Sequence, residues 1–192
     1  MKITLLLFTA ACFTTTCLIA FSANAQTLTD EQKIEFALSA APASVAEGAA
    51  VMDWDSREVL REGNNDYCCF PSMGPMPYPM CVTEDWINFI EAMFKGEEPP
   101  TPKKMAIGYW LQGIAPMSNE HPFATPEETR KHVIAPGDPH LAILFPNPAI
   151  LEGYPDDPAQ GGPWVMFKDT PFVHLMVPAP APSALPTARV PD

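Results

Sequence analysis

The sequence predicts an α+β fold: a mostly antiparallel sheet with one main helix packed on it, joined by proline-rich loops. Three observations carry this expectation. Runs of strand character outnumber runs of helical spacing. One segment, between Thr83 and Gly96, has the full pattern of an amphipathic helix. The chain holds 24 prolines in 192 residues, scattered from Pro42 to Pro191. The average share is only about 5%, so elements should be short and connections stiff. An all-β sandwich with one helical excursion is the alternative that the same pattern allows.

In chain order, Met1-Lys2 gives a positive start, and residues 3–21 form an apolar run. Ser22-Ala23-Asn24-Ala25 then places small residues where a signal-peptide cleavage site needs them. Residues 1–25 are expected to be a signal peptide, with a periplasmic or secreted mature chain from Gln26. Cys12 and Cys17 lack the flanking residues of a lipidation site. Residues 26–177 should form a single α+β domain. Residues 178–192 alternate proline with small residues and read as a disordered Pro/Ala-rich tail. No run after the leader is long enough to cross a bilayer as a helix.

Asp30 can cap a first helix through Ile34, Phe36, Ala37 and Leu38, stopping before Pro42. Residues 50–54 and 59–61 flank a turn and read as a hairpin. Thr83 caps the main helix, Glu84 and Asp85 suit its first turn, and Trp86, Ile87, Phe89, Ile90, Met93 and Phe94 form its apolar face. Gly96 ends it. Residues 105–111 and 140–145 are apolar and read as buried strands. Thr125-Pro126-Glu127-Glu128 and Asn147-Pro148 start short helical turns. Residues 164–167 and 172–176 flank a second hairpin turn.

The formal net charge is −12. Every acidic residue lies after Ala25, and removing Lys2 with the leader makes the mature chain one charge more negative. Such a surface repels nucleic acid and anionic headgroups. No nucleic-acid partner is expected. The acidity is not gathered into blocks, so it belongs to a solvated, soluble surface.

Three cysteines follow the leader: Cys68, Cys69 and Cys81. Export implies an oxidising compartment, where disulfides persist. Adjacent cysteines rarely bridge, so either Cys68 or Cys69 should pair with Cys81 and leave the other as a free thiol. A bridge over so short a loop contributes about 3 kcal/mol. The same stretch carries Met73, Met76 and Met80, thioethers that suit Cu(I). The disulfide staple is the preferred reading, because methionine also serves as adaptable apolar filler.

His140 starts one predicted strand and His174 lies within another, sharing a face with Met176. If those strands are neighbours, His140, His174 and Met176 converge as candidate ligands for copper or zinc. Asp53 and Asp55 share a strand face and are a weaker acid–base pair. No G-x-S-x-G, H-E-x-x-H or calcium loop occurs.

Arg61-Glu62-Gly63-Asn64-Asn65-Asp66-Tyr67-Cys68-Cys69-Phe70-Pro71, Pro79-Met80-Cys81 and Gly108-Tyr109-Trp110-Leu111-Gln112-Gly113 resemble a family of uncharacterised exported bacterial proteins. Ser118-Asn119-Glu120-His121-Pro122-Phe123-Ala124, Pro139-His140-Leu141, Gly161-Gly162-Pro163-Trp164-Val165-Met166 and residues 170–178 continue the resemblance. It implies that Cys69 is the partner of Cys81 and Cys68 the free thiol. It keeps His140 and His174 as candidates and counts against His121. It implies no activity, so whether the protein is an enzyme, and its cofactor and ligand, stay open. The expected function is a non-catalytic binding or envelope-associated domain. The alternative is a metal-handling protein, or a metal-dependent enzyme, using His140 and His174.

Overall fold

The computed structural model describes residues 28–74 and 76–180. The leader expected at 1–25, and the chain beyond 180, lie outside them. Ten strands are present among these residues: β1 (Ala50–Met52), β2 (Val59–Arg61), β3 (Tyr67–Phe70), β4 (Met80–Thr83), β5 (Ala106–Trp110), β6 (Met117–Ser118), β7 (Ile134–Ala135), β8 (His140–Leu144), β9 (Trp164–Met166) and β10 (His174–Pro178). Eight form one sheet in the order β2-β1-β3-β4-β5-β8-β10-β9, while β6 and β7 pair apart. Every neighbouring pair in the large sheet is antiparallel except β1 with β3. The fold is α+β, built on a single large sheet rather than a sandwich.

The helices follow local chemistry. α1 (Asp30–Leu38) is capped by Thr29, not Asp30. Thr29 Oγ1 accepts the Gln32 N–H at 3.3 Å, and Gln32 Oε1 accepts the Thr29 N–H at 2.9 Å. This reciprocal box satisfies two orphan donors, which Asp30 alone would not do. A short helix α2 (Ala43–Ala46) follows. α3 (Glu84–Lys95) starts directly from β4 at Thr83, which holds the cap position but makes no side-chain capping bond, its buried Oγ1 having no partner among the described residues; the helix ends at Gly96, whose φ of 68° lies in the left-handed region. α4 (Pro126–Thr129) is one turn closed by Thr125 and Glu128.

Strand alternation divides the side chains between two faces. One face carries Phe70, Met80, Val82, Trp110, Ala142 and Leu144, and α3 lays Trp86, Phe89 and Ile90 against it. Each large side chain buried there contributes about 1.5–3 kcal/mol. The other face is covered in two pieces. At the β1-β3-β4 end, α1 and the residues after it pack Ala37, Ala40 and Ala41 on Val51, Cys69 and Cys81. At the β8-β10-β9 end, Leu151 packs on Val165 and Leu175.

Cys69 and Cys81 are register partners across β3 and β4 and form a disulfide, with Cα atoms 3.9 Å apart. Both are fully buried beneath α1. Cys68 points to the opposite face as a free, partly buried thiol. Burial pushes its pKa up to about 11, so it stays protonated at neutral pH. β10 runs through Pro178, one residue past the domain end expected at 177, and Ala179 N–H still donates to Pro139 O at 2.9 Å. No helix among the described residues is long and apolar enough to cross a membrane.

Candidate functional site

The face beneath α3 is not completely filled. A cavity of about 70 Å³ lies between the sheet, α3 and the segments that carry β6 and β7. The sheet contributes Trp110, His140, Ala142, Met166, His174 and Met176. α3 contributes Trp86, Phe89, Ile90 and Met93, one turn apart on its inner face. Met73, Met117 and Phe167 close the remaining side. Five of these residues are methionines, and His140 and His174 are the titratable residues of the wall. Larger hollows, such as one of about 540 Å³ between Leu151, Tyr154 and Lys168, are half polar.

β8 and β10 are neighbours, and their register places Met176 opposite Ala142 and Pro178 opposite His140. His140, His174 and Met176 therefore lie on one face and reach the same cavity. The two histidines are not register partners. They are four register positions apart, roughly 13 Å along the strands. Between them run two indoles. His140 stacks on Trp110 at 5.7 Å, Trp110 lies 5.3 Å from Trp86, and Trp86 lies 5.4 Å from His174. Among the described residues, no group of three His, Cys, Asp or Glu side chains stands together as a metal site.

Both rings are held in one tautomer. Nδ1–H of His140 donates to Asp138 O at 2.6 Å, and Nδ1–H of His174 donates to Phe172 O at 2.8 Å. A carbonyl only accepts, so Nδ1 carries the proton and Nε2 of a neutral ring is a bare lone pair. Burial lowers the pKa of His140 and takes that of His174 down to about 4, with the neighbouring His140 adding a smaller push. Both rings are neutral acceptors at pH 7. Neither Nε2 has a hydrogen-bond partner among the described residues.

The remaining wall is fixed by specific bonds. Trp86 Nε1–H donates to Ala106 O at 3.1 Å and orients the indole against His174. Asn119, 3% exposed, ties three segments together. Its Nδ2 donates to Asp156 O at 2.8 Å, its Oδ1 accepts Trp164 Nε1–H at 2.9 Å, and its carbonyl accepts Phe167 N–H at 2.8 Å. Phe167 has φ 55°, a left-handed conformation that a bulky side chain adopts only under constraint. On the opposite side, Ile114 N–H donates to Gly137 O at 2.8 Å. A Cβ on Gly137 would overlap the Ile114 carbonyl oxygen. Gly137→Ala should therefore destabilise the fold by about 2–3 kcal/mol. A drop of roughly 5–10 °C in the thermal midpoint would show it.

Other candidate residues fall elsewhere. Asp53 Oδ1 accepts Ser56 N–H at 3.0 Å and Asp55 N–H at 3.2 Å, so it builds the β1–β2 turn. These bonds, Ser56's first, hold its pKa below the usual range. Asp55 is exposed, and the pair makes no acid–base site. Met80 is sealed in the core and Met73 faces the cavity, so the methionines of the Cys-Met loop do not wrap one ion. His121 is exposed, and its Nδ1 accepts Phe123 N–H at 3.2 Å. Asn119, Met117 and Phe167 were not legible as site residues. The spacing of Trp86, Phe89, Ile90 and Met93 marks a helix face, but a core face and a cavity wall share that signal.

None of the protein-family models, curated proteins or solved structures compared with the chain matches it.

Proposed function

We propose that the chain is an exported, non-catalytic binding domain, and that the cavity beneath α3 is its ligand site. One observation carries this reading: a preformed apolar hollow whose wall holds two tautomer-locked acceptors. Such a hollow rewards apolar contact, with a few polar atoms fixing orientation. Besides the two imidazoles, its wall offers no carboxylate, hydroxyl or thiol. Export rests on the N-terminal pattern and on the resemblance to exported bacterial proteins. Trp86 and Trp110 line the site, so small neutral apolar molecules should change tryptophan emission saturably and raise the thermal midpoint. The absence of both effects across a panel of such molecules would defeat the reading.

A soft metal is the second reading. His174 has Met166 as its register partner and Met176 two residues along on the same face, giving one imidazole and two thioethers around one strand position. Such donors favour Cu(I). Near-stoichiometric copper in protein purified without chelator, lost on His174→Ala, would replace the first reading with this one.

A further inference from the structure

The cavity has a second compartment. A groove of about 330 Å³ lies on its outer side, bordered by Phe94, His121 and Phe123. Met93, Met117 and Phe167 line both spaces and form their shared wall. Two of the three are methionines, flexible side chains that part at little cost. The third is held in its strained conformation by Asn119. The inner space alone is roughly half of the ~150 Å³ that admits benzene, so no ring enters it fully. Taken together, the two spaces reach the lower end of small-ligand pockets, about 300–1,000 Å³.

We propose that the two spaces form one site for a neutral straight-chain amphiphile, an alcohol whose hydroxyl donates to Nε2 of His140 or His174 and whose hydrocarbon chain passes Met93, Met117 and Phe167 into the groove. The inference rests on the binding-domain reading and specifies its ligand class. A hydroxyl can donate to a bare imidazole nitrogen, whereas a carboxylate cannot and an ether has no proton to give. A buried acceptor left unpaired discriminates strongly against a ligand without the donor. The inner space fits the hydroxyl and a few carbons, and the remaining chain needs the groove.

The test uses the protein exported from its full-length chain. Tryptophan emission is titrated with 1-butanol, 1-octanol, 1-methoxyoctane and octanoate. 1-Octanol should bind at least ~10-fold more tightly than the ether, octanoate or 1-butanol. His140→Phe or His174→Phe, checked for folding by circular dichroism, should reduce the preference over the ether to about 2-fold or less. Equal binding of alcohol and ether would overturn the inference while leaving the binding-domain reading intact. So would tighter binding of octanoate, or no gain from 1-butanol to 1-octanol. No saturable binding by any of the four would defeat both.

Discussion

Moving the protein from about pH 7.5 to about pH 4.5 should lower its stability by about 2–3 kcal/mol through His174 alone. The ring is buried, with Trp86, Phe89 and Phe167 packed around it in edge-to-face contact. Its pKa falls to about 4, while the unfolded chain keeps the ordinary value near 6.5. Above 6.5 neither state binds the proton, and the full stability is present. Below 6.5 the unfolded chain takes up a proton that the native ring refuses, so stability declines until the pH reaches the folded value. His140 is also displaced downward by burial and acts in the same direction. It is the titratable neighbour of His174, and the rings packed on His174 carry no charge. Urea midpoints across this range measure the slope. His174→Phe should flatten it whatever its effect on stability at neutral pH. A midpoint that does not move between the two pH values would mean that the ring is not held neutral.

Replacing Cys69 and Cys81 together with alanine should destabilise the protein by about 3 kcal/mol or slightly more. The bridge spans twelve positions in sequence. In the chain-entropy account, a loop of that size restrains the unfolded chain by about 3 kcal/mol. Both sulfurs are fully buried with Val51 and Ala37, so truncation adds a small packing loss. A chain cleaved after Ala25 should show one reactive thiol under denaturing conditions, that of Cys68. Three thiols, or an unchanged urea midpoint in the double variant, would contradict the bridge. The cavity lies across the sheet from the disulfide, so ligand binding should survive wherever the variant remains folded.

Elements whose order is local were legible in the sequence. The Thr83–Gly96 helix, the β1–β2 hairpin and the β9–β10 hairpin each announce themselves by period, a closing glycine or turn residues within a few positions, although the Thr83 side chain does not cap its helix. β3 and β4 did not, because Tyr67–Phe70 and Met80–Thr83 are short, lack apolar–polar alternation and flank a proline-rich connection. Their identity as strands depends on pairing with β1 and β5, which is non-local. The site was half legible for the same reason. His140, His174 and Met176 stand out by residue type and strand position, but the Trp110–Trp86 pair between the histidines comes from α3 and β5. The mistaken cap has a similar cause: Asp30 and Thr29 are both good capping residues, and the Gln32 side chain decides between them.

Strand order also bears on the sequence of assembly as the chain emerges N-terminus first. The apolar cluster around the disulfide draws on residues 34–109 alone. The cluster beneath α3 needs Trp54 at one extreme and Met176 at the other. A nascent chain that has released β5 can already close the first cluster and oxidise Cys69 with Cys81. The second must wait for β8, β10 and finally β9 to dock. Trp86 and Phe89 stay uncovered in the interval, so the span between the release of β5 and the docking of β10 is when this chain is most exposed to aggregation.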